Sequence, residues 1–204
     1  MQTKIYKETE YKKIIEDLLN GEVVGFPTDT VYGLAIVYNN KEAFKKLYEI
    51  KNRNITKPIS MMVSSINVMN EVAYIDNMQE KIISNLMPGA LTVILKAKEN
   101  LPDFVTFNYQ TIGIRIPTND VALNILKEIN MPLLVTSANI SSQPSLIKFN
   151  DVYDNFKGKI KSLIALDAQG DCASTVVDIT NDKINVLRKG PISLEKIMKV
   201  LEEE

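Results

Sequence analysis

The sequence predicts an α/β fold in which helices pack on a mixed β-sheet. Apolar residues recur at helical spacing in some segments and form short continuous runs in others. The two kinds of segment alternate irregularly, which suggests a mixed sheet rather than a regular βαβ repeat. No internal repeat, low-complexity tract or linker rich in Pro, Gly or Ser interrupts the 204 residues, so one domain over 1–204 is the economical reading.

Tyr11, Ile14, Ile15, Leu18 and Leu19 fall on one face of a first helix, with Thr9 as the expected N-cap and Asn20-Gly21 as the stop. Val23 to Phe26 is an apolar run that ends at Pro27, as a buried strand would, and Leu34 to Tyr38 reads as the next strand. Ala43, Phe44, Leu47 and Tyr48 mark a second amphipathic helix, which runs toward a basic loop at Lys51 to Lys57. Ile59–Val63, Leu91–Ala97, Ile112–Ile116 and Leu133–Thr136 are further strands. Between some of them lie helical patterns at Gln79–Leu86 and Asp120–Ile129, the latter capped by Thr118 or Asn119. After a less patterned stretch come strands at Leu163–Leu166, Thr175–Ile179 and Ile184–Leu187. The last two read as a hairpin around Thr180-Asn181-Asp182. Ser193 caps a final helix with Leu194, Ile197 and Leu201 on one face.

Composition removes several kinds of chemistry. The chain has no histidine, which excludes Ser-His-Asp and Cys-His schemes, His-ligated metals and the usual base near neutral pH. One cysteine, Cys172, cannot build a disulfide framework or a thiolate metal site. No stretch approaches the ~20 apolar residues of a membrane helix, and the N-terminus has no apolar block, so no membrane and a cytoplasmic location are expected. A net charge of −1 gives no global push toward nucleic acid. Chemistry must rest on carboxylates, lysines, hydroxyls and arginines.

Six constellations could carry it. Pro27-Thr28-Asp29-Thr30-Val31-Tyr32-Gly33-Leu34 sets polar residues between two apolar strands, either to hold a small polar ligand or to stabilise a turn. Lys51, Arg53 and Lys57 end a helix. Cations are expected there to offset the dipole, and the same cluster could clamp a triphosphate. Pro88-Gly89-Ala90-Leu91-Thr92 reads as a structural turn. In Thr111-Ile112-Gly113-Ile114-Arg115-Ile116-Pro117, Arg115 interrupts an apolar strand, so it is ion-paired or faces an anionic ligand. Thr136-Ser137-Ala138-Asn139, with Ser141, Ser142 and Ser145 following, ends a strand in small polar residues suited to a phosphate or nucleoside, or to a plain polar loop. A hairpin would bring Ser174 and Arg188 together. No Walker A loop or G-x-G-x-x-G is present.

Read in order, PTDTVYGL, KNRNITKP, PGALT, TIGIRIP, TSAN, STVVD and LRKG resemble the successive motifs of the YrdC-like threonylcarbamoyl-AMP synthases, from about Gly21 to Gly190. The resemblance implies a YrdC-like fold: one α/β domain whose twisted mixed sheet and flanking helices form a concave basic cavity. It implies synthesis of threonylcarbamoyl-AMP and pyrophosphate from L-threonine, bicarbonate and ATP, with Mg2+ brought by ATP. The product feeds N6-threonylcarbamoyl modification of adenosine 37 in tRNA, through downstream transfer proteins. By that resemblance Lys51 and Arg53 are catalytic. Arg53, Lys57, Thr111, Ser137, Asn139, Ser145 and Arg188 bind ATP, and Thr30, Arg115 and Ser174 hold threonine. The sequence departs from the family pattern at Met61-Met62, where a histidine is frequent, at Asp167–Ala173, and at Ser142, where glycine is common. It resembles the short one-domain form.

Two other functions fit the same residues less well. A non-catalytic RNA-binding module would use the basic hollow and bind tRNA or double-stranded RNA weakly, but few aromatics interleave with the cations. A carbamoyl-adenylate enzyme of hydrogenase maturation would need zinc-finger and acylphosphatase regions, and the chain has one cysteine and no spare length for them.

Overall fold

The computed structural model describes residues 2–181 and 183–202. Among them, eleven strands form one sheet. One half holds β1 (Lys4–Tyr6), β9 (Ser162–Ile164), β2 (Val24–Phe26), β3 (Gly33–Val37) and β8 (Leu133–Ser137), in that spatial order. The other half continues with β4 (Ser60–Met62), β7 (Thr111–Arg115), β6 (Leu91–Ala97), β10 (Thr175–Asp178) and β11 (Asn185–Arg188). The short β5 (Ala73–Tyr74) also pairs with β6. Pairing is mixed as expected: β4 and β7 are parallel, as are β6 and β10, whereas β3 and β8, β8 and β4, and β7 and β6 are antiparallel.

Side-chain alternation along these strands divides the core in two, because successive residues point to opposite faces. Leu34 and Ile36 of β3, Leu134 of β8, Met61 of β4, Ile112 and Ile114 of β7, and Leu91, Val93 and Leu95 of β6 join one apolar cluster. Buried residues of α2 (Lys41–Ile50), α3 (Ile66–Val72), α4 (Asn77–Leu86), α5 (Asp103–Thr106), α7 (Phe149–Phe156) and α8 (Leu194–Glu202) complete that cluster. Ala35 and Val37 of β3, Leu133 and Val135 of β8, and Met62 of β4 join the other. There they meet only α1 (Tyr11–Leu19) and α6 (Asp120–Ile129), which pack on each other. Two helices cannot cover ten strands. Over β4, β7, β6 and β10 the second face is left to Ser60, Met62, Gly113, Arg115 and Thr92, and a hollow opens there.

The expected strands and helices recur within one or two residues of their anticipated ends, apart from five elements. The strands β1 and β5 and the helices α3, α5 and α7 were not anticipated. Each is short, and α7 sits in the stretch whose apolar spacing is weakest. Asn119 rather than Thr118 caps α6, its side chain accepting from Ala122 N at 3.1 Å. Ser193 caps α8 by accepting from Lys196 N at 3.2 Å. Thr9 does not cap α1. It lies inside a 3-10 turn over Glu8–Glu10, so Glu10 takes the cap position and its carboxylate reaches back to Lys7 N. β10 and β11 form the expected antiparallel hairpin, with a bulge between Val176 and Val177. The turn expected at Thr180-Asn181-Asp182 includes Asp182, which lies outside the described residues.

Candidate active site

The hollow encloses about 160 Å³ and is lined by Thr28, Thr30, Arg53, Ser60, Met62, Thr92, Arg115, Val135, Ser137, Ser174 and Arg188, among others. Its floor is the uncovered half of the sheet. Its rim comes from the loop after β2, the loop after α2, the end of β8 and the β10–β11 hairpin. Of the expected site residues, the structure brings together Thr30, Arg53, Arg115, Ser137, Ser174 and Arg188.

Arg115 is ion-paired, the first of its two sequence alternatives, and it also lines the hollow. Its side chain is buried and pairs with Asp29, Nη2 to Oδ2, at 2.6 Å. Nη1 donates to Thr30 Oγ1 at 2.7 Å and Nε donates to the Gly89 carbonyl at 2.9 Å. Burial lowers its pKa and the Asp29 carboxylate opposes that. The guanidinium therefore holds the Pro27–Gly33 loop in shape while still lining the hollow. Gly89, in the turn read as structural, earns that reading: its N–H also binds the Ile116 carbonyl.

Hydroxyl polarity follows by elimination. The one proton of Thr28 goes to the Val31 carbonyl at 2.7 Å, so its 3.0 Å contact with Thr30 Oγ1 is donated by Thr30. Thr30 Oγ1 already accepts from Arg115, which leaves one lone pair and no proton for a ligand. It can receive an amine or hydroxyl but cannot donate to a carboxylate.

On the opposite wall, Arg188 Nε donates to the Ser174 carbonyl at 2.9 Å and Nη2 to Ser174 Oγ at 3.0 Å, as the hairpin predicts. Burial, then the nearby charge of Arg115, lowers the Arg188 pKa. Ser174 Oγ also meets Thr92 Oγ1 at 2.8 Å. Arg53 Nε and Nη2 bind the carbonyls of Lys57 and Pro58, which folds the basic loop back on the rim, with the guanidinium over the Tyr48 ring. Three arginines thus line one hollow, Asp29 is paired with Arg115, and among the described residues no carboxylate is in the lining, so the site attracts anions.

Five expected contacts lie elsewhere. Thr111 is on the same sheet face as Arg115 but four residues away, about 13 Å along the strand, opposite Lys96. It lines a different hollow with Tyr74, Lys96 and Tyr109. Lys57 is exposed on the basic loop, and its carbonyl, not its amine, is used by Arg53 and Tyr48. Ser145 belongs to the 141–148 loop outside the lining. Asn139 spends its whole amide inside the protein. Lys51 is almost wholly buried behind the end of β8.

Thr92 was missed as a site residue. The signal lay in LTVILKA, where period-two alternation places Thr92 opposite Leu91 and Val93 in facing. A strap of residues 167–173 closes the loop side. Gln169 N donates to the Thr28 carbonyl and Gly170 N to the Thr30 carbonyl, both at 2.9 Å. A Cβ at Gly170 would stand 2.6 Å from the Thr30 carbonyl oxygen, so the strap fits only without a side chain there. At Ser142 the backbone keeps φ 70, the left-handed conformation that explains a frequent glycine. Among the described residues no cluster of three His, Cys, Asp or Glu could hold a metal ion, and no helix is long and apolar enough to cross a membrane.

An anion-attracting hollow on the open face of a mixed sheet, walled by strand-end hydroxyls and arginines, defines a nucleotide-handling class of α/β protein. The Sua5/YciO/YrdC family model, described as "Telomere recombination", matches residues 16–190, and the chain belongs to that family. It is 38% identical to a putative threonylcarbamoyl-AMP synthase of Methanocaldococcus jannaschii, covering 95% of each chain. It is 33% identical to the threonylcarbamoyl-AMP synthase of Pyrococcus abyssi over 90% of this chain, but spans only 54% of that protein. In structure it is similar to P. abyssi Sua5 complexed with L-threonine, with a TM-score of 0.89, 31% identity, and coverage of 99% of this chain and 61% of that one. Escherichia coli YciO, at 22% identity and a TM-score of 0.89, shares the fold over 96% of this chain and 99% of its own.

Proposed function

We propose that this chain is a threonylcarbamoyl-AMP synthase, a nucleotidyltransferase that makes threonylcarbamoyl-AMP and pyrophosphate from L-threonine, bicarbonate and MgATP. The observation that carries the reading is the hollow in which Arg53, Arg115 and Arg188 converge with the Thr30, Ser137 and Ser174 hydroxyls. The named activities of the M. jannaschii and P. abyssi relatives, and the threonine bound to P. abyssi Sua5, support it.

The chemistry suits a chain without histidine. Bicarbonate gives up hydroxide to become carbon dioxide, the threonine amine adds to the carbon and loses a proton to that hydroxide as water, and a carbamate results. A carbamate oxygen attacks the α-phosphorus of ATP, the α–β bridging P–O bond breaks, and pyrophosphate leaves with its electron pair. Such a displacement needs alignment and charge neutralisation more than a strong base. Thr30, with only a lone pair to offer, receives the amine. Arg188 and Arg53, on the rim, neutralise carboxylate and phosphate charge. Magnesium enters as part of MgATP, held by phosphate oxygens and water. In a cytoplasmic setting the threonylcarbamoyl group then passes, through separate transfer proteins, to adenosine 37 of tRNA.

Purified protein given ATP and bicarbonate should release pyrophosphate only when L-threonine is added, with threonylcarbamoyl-AMP detected by mass spectrometry. Release that ignores threonine would sink the assignment. Arg53→Ala should lower kcat/KM for ATP by at least about 10- to 100-fold, the range expected when a charged, positioned donor is lost.

A further inference from the structure

Lys51 ends α2, yet its amine does not reach the hollow. It turns inward to the exit of β8, where Nζ donates to the carbonyl of Ser137, to the carbonyl of Asn139 at 2.7 Å and to Asn139 Oδ1 at 3.2 Å. Its own carbonyl accepts from Ser141 N at 2.9 Å. Three donors meet three oxygens, with no carboxylate among them.

The Asn139 amide is oriented by four partners. Nδ2 donates to the carbonyls of Ile140 at 3.0 Å and Gln143 at 2.7 Å, while Oδ1 accepts from Lys51 and from Ser137 Oγ, the latter at 2.6 Å. Reversing the amide would set oxygen against two carbonyls and NH2 against an ammonium, so this orientation is forced. The Ser137 proton is then committed inward. Of the three residues only Ser137 lines the hollow, and it shows the hollow lone pairs alone.

We propose that Lys51 is a positioning residue that, through Asn139, locks the Ser137 hydroxyl as a hydrogen-bond acceptor, so that position 137 selects an O–H or N–H donor of the nucleotide and not its phosphates. The inference rests on the proposed use of ATP. It reassigns Lys51 and Asn139 from touching the nucleotide to presenting the residue that does. The donor is a ribose hydroxyl or the adenine amino group.

Burial, with Arg53 adding like charge, brings the Lys51 amine down to about 7, and the three oxygens it faces are acceptors for its charged form. Arg53 and Tyr48 are the titratable neighbours on its own segment, and the Ser137–Gln143 turn facing it brings none. Above that pH the amine keeps two protons for three acceptors, and the relay loses a link. ATP affinity should therefore weaken as pH rises through neutrality.

The test is equilibrium binding of MgATP to the full chain from pH 6 to 9, for wild type, Lys51→Met, Ser137→Ala and the double variant. Wild-type affinity should fall several-fold above pH 7. Lys51→Met should bind about ten-fold more weakly with a flat profile, and should cost little more in the Ser137→Ala background. Additive losses would make Lys51 merely structural and overturn the relay, as would wild-type affinity in Lys51→Met or no ATP binding at all. If Lys51→Met fails to fold, Lys51→Arg, charged throughout, should bind ATP with a flat profile. A limb unchanged in that variant would overturn the relay equally. Among 2′-deoxy-ATP, 3′-deoxy-ATP and inosine triphosphate, the one lacking the recognised donor should bind wild type and Ser137→Ala alike, and a Ser137→Ala penalty undiminished with all three overturns the acceptor assignment. Binding that follows the relay without threonine-dependent pyrophosphate release would sink the proposed reaction and spare the relay. Threonine-dependent turnover with additive binding losses would do the reverse.

Discussion

The Asp29–Arg115 pair shows how a single buried charge organises the site. Arg115 occupies a position where an apolar residue would continue the strand, and only Asp29 balances it. Asp29 Oδ1 is itself buried with no hydrogen-bond partner, so the carboxylate is held by one oxygen and depends on the guanidinium. Asp29→Ala would strand Arg115 in the sheet without a counter-charge, and urea unfolding should report a loss of about 3–5 kcal/mol. Asp29→Asn keeps an acceptor for Nη2 and should lose distinctly less. Equal losses in the two variants would show that charge, not the hydrogen bond, is what Arg115 requires. Arg115 itself was legible as an anomaly, since an arginine inside an apolar run must be paired or functional. That it is paired and still lines the hollow could not be read, because the partner lies 86 residues away.

At the scale of elements, the strap over 167–173 and the β10–β11 hairpin each carry a wall of the hollow. The hairpin was legible from two apolar runs about a polar turn, and with it the meeting of Ser174 and Arg188. The strap was not, since it has no apolar period and is held by backbone groups to Thr28 and Thr30. Gly170→Ala should push the strap off the Pro27–Gly33 loop, because its Cβ would overlap Thr30 backbone atoms. We expect KM for threonine to rise about 10- to 100-fold, the scale of a displacement near 1 Å at a binding loop. The far-ultraviolet circular dichroism should be unchanged. A variant with wild-type KM would remove the strap from the site.

The whole molecule is one continuous sheet whose faces are unequally covered. Six helices bury one face, and two bury only part of the other. Amide exchange should be slowest in β3, β8, β4 and β7, paired on both sides, and fastest in the edge strands β1 and β11. Protection in β6 should exceed that in β11 even though both border the hollow, since backbone pairing rather than side-chain cover governs opening there. Equal protection across the sheet would contradict this picture.

Sequence by itself determined the order and type of the main elements, the absence of histidine chemistry, and the set of motifs whose arginines and hydroxyls meet in the hollow. These depend on local periodicity and residue chemistry, which are written along the chain. Tertiary structure alone decided which members of each motif face the hollow. Thr111 and Arg115 share a strand face yet lie at opposite ends of it, and Lys51 and Arg53, two residues apart, turn in opposite directions from the end of α2. Spacing sets the face a side chain takes, but only the packed partners set which polar atoms remain free. Asn139 and Lys51 have none to spare, whereas Thr30 keeps one lone pair and Ser137 keeps both.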